Sequence, residues 1–183
     1  MWPFGRRKEK QQDREQEREH RSAFRDGTRA LEDGRTSEAI EALAAVVRED
    51  PDNFAARVNL GTAYYSGGEY VAAVRQFEAA RELQSDAPKV LLNLAAAKSA
   101  LDQLDEAIDL LLQVLEIDPQ MRDVHYNLAI AYWRKGRVPE AMAELEMELA
   151  LHPDHPEAKA AAERIRAQAG IPADEGGVPS DAG

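Results

Sequence analysis

The stretch Val58-Asn59-Leu60-Gly61-Thr62-Ala63-Tyr64-Tyr65 decides how the chain is read, because it returns twice in altered form. Leu92-Asn93-Leu94-Ala95-Ala96-Ala97-Lys98-Ser99 begins 34 residues later, and Tyr126-Asn127-Leu128-Ala129-Ile130-Ala131-Tyr132-Trp133 another 34 after that. A fixed period of this length marks supersecondary units that cannot bury an apolar face alone and must stack on their neighbours.

Working outward, the small residues keep the same period. Ala39, Ala73, Ala107 and Ala141 share one phase, and Gly27, Gly61, Ala95 and Ala129 share another. Two helices approach closely only where neither presents a large side chain, so these positions are predicted contact points. Leu43, Phe77, Leu111 and Leu145 supply the bulk around them at the same interval. Each unit then divides into two helical patterns of about a dozen residues. The turn between them carries Gly34, Gly68, Asp102 or Gly136, as expected where a helix ends through a left-handed residue. Pro51, Pro119 and Pro153 close three units, while the second has Ser85 at that phase and Pro88 at the next helix start. Asn53, Asp86 and Asp154 are the expected N-caps, the last with Glu157 at capping-box spacing.

These phases partition the chain into a charged leader at 1–19, repeats at 20–53, 54–87, 88–121 and 122–155, a helix at 156–169 and a tail at 170–183. Residues 6–21 set seven bases against five acids, and pairs such as Glu15–Arg18 sit at helical spacing, consistent with a solvated helix running into the first repeat. Trp2 and Phe4 beside Arg6, Arg7 and Lys8 also suit contact with an anionic membrane surface, an alternative that stays open at this stage. The tail is rich in Gly, Pro and acid and is expected to be disordered.

Composition narrows the function. A formal net charge of −11 argues against nucleic acid, which selects for basic surfaces. The chain has no cysteine, so it has neither disulfides nor thiolate metal sites. No apolar run reaches the roughly 18 residues a membrane span needs, and no signal peptide is evident, so a cytoplasmic location is expected. His152 and His155 share a Pro-containing turn that reads as a solvated loop, with no third metal ligand in register. No nucleophile–base arrangement or phosphate loop stands out, so neither an enzyme nor a cofactor is expected.

The residues Leu60, Gly61, Tyr64, Ala73 and Phe77, and again Leu128, Ala129, Tyr132, Ala141, Leu145 and Pro153, resemble the tetratricopeptide repeat. The third unit departs with Lys98 in the tyrosine slot, and the first with Asp26 and Ala30. The resemblance implies an all-α, right-handed superhelical solenoid of about four helix pairs, closed by a capping helix at 156–169. Glu148 breaks the phase of Val46, Ala80 and Val114, which suggests looser or exposed packing there.

In such stacks the first helix of each pair lines the concave side. That phase places Phe24, Val58, Leu92 and Tyr126 in one row and Arg25, Asn59, Asn93 and Asn127 in the next. Ile130 follows with Thr28, Thr62 and Ala96, while Leu31, Tyr65, Ser99 and Trp133 stand near the rim. An apolar, aromatic trough beside a ladder of amides suits an extended peptide, because Asn can both donate to and accept from a backbone. The same amides could instead tie adjacent repeats together. Arg21, Arg25, Lys89 and Arg134 outnumber Glu32 and Asp123 on this side, so an acidic partner segment is expected. The family's carboxylate clamp is matched only by Asn59 and Lys89, since Phe24, Thr28 and Asn93 replace its other members. The expected function is a protein-binding adaptor, with a self-assembling scaffold or a membrane-surface factor as the alternatives.

Overall fold

In the computed structural model, residues 4–170 are described, with side chains from residue 15 onward. Trp2 and the tail from residue 171 therefore lie outside the described residues, and the membrane-surface reading, which needs the side chains of Phe4, Arg6, Arg7 and Lys8 as well, lies outside the described side chains. The described residues form helices and turns without strands. The helices are α1 Phe4–Glu32, α2 Thr36–Glu49, α3 Phe54–Ser66, α4 Tyr70–Leu83, α5 Pro88–Ala100, α6 Leu104–Ile117, α7 Val124–Arg134, α8 Val138–Leu151 and α9 Pro156–Ala169. The chain divides between Gln103 and Leu104, inside the third repeat, into one unit with α1–α5 and another with α6–α9.

In the first unit each helix packs on the next, and α3 also touches α1 and α5. The second unit repeats the scheme: α6 on α7, α7 on α8, α8 on α9, with α9 also touching α7. α1 runs unbroken through residue 19, so its charged half and its repeat half are one helix.

The four turns share one geometry. Gly34, Asp102, Gly68 and Gly136 have φ of 72°, 64°, 76° and 74°, the left-handed region where Gly is unstrained and Asp is tolerated. The residue after each reaches back to the first helix: Arg35 to Ala30, Glu69 to Tyr64, Gln103 to Lys98 and Arg137 to Tyr132, at 2.8–3.0 Å. These bonds satisfy carbonyls that the helix end leaves orphaned. Gly170 stands 34 residues beyond Gly136 and has φ 66°. The residue that ends α9 therefore shares the left-handed conformation of the repeat turns.

The core follows the predicted phases. Ala39, Ala73, Ala107 and Ala141 are fully buried, as are Leu43, Leu145 and, within 1%, Phe77 and Leu111. The small-residue phase is enforced by contact. A Cβ on Gly61 would stand 2.6 Å from the Phe77 ring, and one on Gly27 would stand 2.8 Å from Leu43. Lys98, in the tyrosine slot, is nonetheless buried, with Nζ 3.4 Å from the Glu78 carboxylate.

Asn53 caps α3 by accepting from Ala56 N–H at 3.0 Å, as expected. The other two cap expectations are corrected. Ala87, not Asp86, stands at the start of α5 without a side-chain cap, and His155, not Asp154, caps α9. Asp154 is exposed and bonds Arg122 instead, which holds its carboxyl below the ordinary carboxylate range.

Gly61→Ala tests the contact phase. Alanine's helix preference is worth about 1 kcal/mol, but overpacking a closed core costs about 1–3 kcal/mol. We expect a lower melting temperature by circular dichroism, recovered in part by adding Phe77→Leu; a melt equal to or above wild type refutes the contact.

Candidate functional site

The first-helix face of the α1–α5 unit is polar and partly open. Phe24 is half-buried against the cluster of Ala30, Ala39, Leu43, Leu60 and Ala63. Val58 is half-buried, Tyr65 and Lys89 are exposed, and Leu92 is buried at 8% exposure. The placement of Leu92 as an open groove residue is thereby corrected: its leucine side chain is part of the interior. Tyr65 leans on Tyr70, with ring centroids 5.4 Å apart.

The amides of this row do different things. Thr28 Oγ1 donates to Phe24 O, and the Asn59 amide donates to Thr28 Oγ1 at 3.0 Å, so Asn59 ties α3 to α1. Asn93 instead lines a notch of about 40 Å³ with Thr62, Tyr65, Phe77 and Ala96. The space exceeds the volume a single water needs. Its walls combine an aromatic ring, a methyl group, a hydroxyl and an amide.

In the α6–α9 unit, Tyr126, Ile130 and Trp133 pack against the core formed by Ala129, Ala141, Met142, Leu145, Ala158, Ala161, Ala162 and Ile165. All three stay half-exposed, and Arg134 is exposed. The Tyr126 ring lies 5.2 Å from the His155 ring, and burial raises its phenol pKa above the ordinary value. Arg164 from α9 places its guanidinium 4.9 Å from the Trp133 ring centroid. Asn127 donates to its own helix at Asp123 O, 2.7 Å away. Thus Asn59, Asn93 and Asn127 share a phase without sharing a role.

Beneath this face lies a polar joint that sequence reasoning misread. Glu148 is not loosely packed or exposed; it is fully buried. Its two oxygens accept from the backbone N–H groups of Asp123 and Tyr126, at 3.1 and 3.2 Å, so a side chain from α8 caps α7. The need arises because Asp123 has φ 72° and provides no side-chain cap itself. A carboxylate suits a helix N-terminus, where unpaired N–H groups carry partial positive charge.

His155 is likewise buried at 2% exposure and is not in a solvated loop. Its Nδ1 accepts from Ala158 N–H at 3.3 Å, the same three-residue reach as Asn53 to Ala56, one hundred and two residues earlier in phase. Its Nε2 donates to Asp123 Oδ1 at 2.8 Å and lies 3.6 Å from Glu148. The sequence signal was available: His155 occupies the phase of Asn53, and Glu148 faces a helix start with no cap of its own. Asp123, Glu148 and His155 bring ligand-type atoms within 4.8 Å of one another. Hydrogen bonds among them and the backbone already satisfy that set, so its chemistry is that of a joint between α7, α8 and α9. His125, also buried, pairs with Glu144 at 2.6 Å in the same unit.

Among the described residues, no helix is long and apolar enough to cross a membrane.

Two models of the tetratricopeptide repeat match the chain, one over residues 66–120 and 100–165 and the other over residues 24–89. The chain belongs to the tetratricopeptide repeat family. Superkiller complex protein 3 of Homo sapiens is 34% identical over 85 residues, covering 46% of this chain and 5% of that protein. Small glutamine-rich tetratricopeptide repeat-containing protein 2 of Mycosarcoma maydis is 32% identical over 95 residues, covering 52% of this chain and 27% of that protein. The chain thus spans only a small part of these relatives' lengths. Among solved structures, MamA superposes with a TM-score of 0.71 at 21% identity, covering 84% of each chain. The Cut9–Hcn1 hetero-tetramer of the APC/C gives 0.73 at 23% identity, covering 80% of this chain and 30% of that one. Both likenesses establish the all-α repeat fold. Tetratricopeptide repeats of this kind support a protein-interaction role in general terms.

Glu148→Ala leaves two helix-end N–H groups without their acceptor and removes the carboxylate that lies 3.6 Å from the His155 ring. Removing one partner of a buried polar set costs about 3–5 kcal/mol. Urea denaturation should show this loss, with protection against hydrogen exchange falling first in α7–α9; unchanged stability would mean that the joint is not needed.

Proposed function

We propose that the chain binds an extended segment of a partner protein on the first-helix faces of its repeats. The observation that carries this reading is the notch at Thr62, Tyr65, Asn93 and Ala96. It offers a small recess, of about the size of a methyl group, beside an amide, which gives an extended peptide a point of apolar contact and a partner for its backbone. Exposed Lys89, at the start of α5, and exposed Arg25 on α1 favour carboxylates in that segment, against an otherwise acidic protein. Tyr65 adds a large contact area with few torsions to immobilise.

The structure changes which amide supports the proposal. Asn59 and Asn127 each make a hydrogen bond that holds the repeat, so their removal tests stability together with binding. Asn93 is the better probe, since it lines the notch.

Selection of displayed random peptides on the full chain should enrich a family of binders. Tyr65→Ala with Asn93→Ala should weaken those binders about tenfold or more while the melting temperature stays near wild type. Val71→Ala, an exposed position on α4, serves as the control. Failure to enrich any peptide, or equal binding by the double variant and wild type, overturns the reading.

A further inference from the structure

The joint between α7, α8 and α9 holds a fully buried carboxylate with no lysine or arginine to balance it. Among the described residues, the basic groups within ion-pair distance of Glu148 are the rings of His155, at 3.6 Å, and His152, at 4.0 Å. Asp123 brings a second carboxylate to 2.8 Å from the same His155 nitrogen. The helix end offsets part of this charge through its N–H groups, but two carboxylates around one neutral ring still leave a local negative excess. A single proton on His155 Nε2 stands between them in the hydrogen-bonded joint.

We propose that this joint takes up one zinc ion through Asp123 Oδ1, Glu148 Oε1 and His155 Nε2, and that the ion clamps α7, α8 and α9 together. The ligand atoms of the three residues lie within 4.8 Å of one another. A tetrahedral zinc with ligands at about 2.0–2.2 Å sets its ligand atoms roughly 3.3–3.6 Å apart. The His155–Glu148 separation of 3.6 Å already meets this, and the His155–Asp123 pair has only to open slightly, on the side where Asp123 is half exposed. Zinc takes the place of the Nε2 proton, which passes through solvent to Nδ1. There Glu157 Oε2 stands 3.1 Å away and accepts it. The ring gives up Ala158 N–H in exchange, the longest hydrogen bond of the joint at 3.3 Å. An imidazole ligand whose other nitrogen donates to a carboxylate is held in orientation and made more basic. Glu148 keeps both backbone donors, since each carboxylate oxygen accepts more than one partner. Two carboxylates neutralise the double positive charge, His152 stays on Gln120 O at 3.2 Å, and a water fills the fourth position. One nitrogen and few oxygens select zinc over calcium, which takes about six to eight oxygens. Sequence reasoning found no third ligand for the histidines, because Asp123 is 32 residues from His155 and Glu148 read as exposed. The proposal is independent of the peptide-binding reading.

The test uses the full chain without a histidine tag, stripped of metal with EDTA and dialysed. Zinc titrated in competition with a chromophoric chelator should bind one ion per chain. Zinc should also raise the melting temperature, with EDTA reversing the rise, and calcium should leave it unchanged. Asp123→Asn keeps an oxygen that accepts from His155 and a residue type that tolerates the left-handed φ, while removing the ligand's charge. It should weaken zinc binding about tenfold or more, with a metal-free melt near wild type. Glu157→Ala touches no ligand and should weaken zinc about tenfold by leaving Nδ1–H without its acceptor. Glu157→Gln, whose amide oxygen still accepts, should recover much of that loss. These two variants decide the matter if Asp123→Asn folds poorly. His152→Gln should bind as wild type does. Failure to bind one ion, a melt indifferent to zinc, binding unchanged in both Asp123→Asn and Glu157→Ala, or loss of binding in His152→Gln overturns the site.

Discussion

Everything in this structure depends on how closely two antiparallel helices can approach. Gly61 lets α3 lie against Phe77 of α4 with no room for even one added carbon, and Gly27 does the same against Leu43. Ala129, in the same phase, shares a buried cluster with Leu145. Once that contact is fixed, the turn must reverse the chain in few residues, which explains the left-handed residue and the repeated bond from the residue after it to the first helix. Stacking then supplies the remaining burial, since a single pair leaves its outer faces open.

What was legible in the chain follows from this constraint. Ala39, Leu43, Ala73 and Phe77 can be read because packing repeats with the same geometry in every unit, and a steric requirement leaves a residue-type signature at fixed spacing. Asp102 could be placed in a glycine phase for the same reason, and its φ of 64° agrees. Hydrogen bonds do not leave such a signature. The Asn phase looked like one ladder, yet Asn59 bonds a hydroxyl on α1, Asn127 bonds its own backbone, and Asn93 lines a notch. An amide has two donors and an acceptor, so its partner depends on which neighbour happens to be polar. Leu92 shows the limit from the apolar side, because phase gives a direction from the helix axis and not the depth of what covers it.

Glu148 is the clearest case of physics overriding pattern. A carboxylate in the phase of Val46, Ala80 and Val114 reads as a defect if burial alone is considered. Burying it without partners would be prohibitive. It is buried because α7 starts at Val124 after a left-handed Asp123, leaving N–H groups that a valine could not satisfy. The carboxylate, the helix end and the His155 ring are therefore one device. Its cost is offset only while every member is present, which makes it specific to this end of the chain.

That device also bears on how α9 should be understood. Helix α9 packs on α8 and α7 as α3 packs on α2 and α1, it is capped by His155 in the phase of Asn53, and it ends at Gly170 in the phase of the turn residues. By phase it corresponds to the first helix of a repeat. Its sequence departs where a second helix would have to approach: Glu163 occupies the phase of Gly27, Gly61, Ala95 and Ala129, and Glu175 and Pro179 fall in the phases of Ala39 and Leu43. Glu163 is exposed, at the phase where Gly27 and Gly61 lie against Leu43 and Phe77. The same substitution of polar for small keeps one side of α9 solvated, while Ala158, Ala161, Ala162 and Ile165 bury the other. The repeat phase is thus kept where the residue types of its contact positions are not, and α9 carries exposed Glu163 and Arg164 on a helix that α7 and α8 still hold.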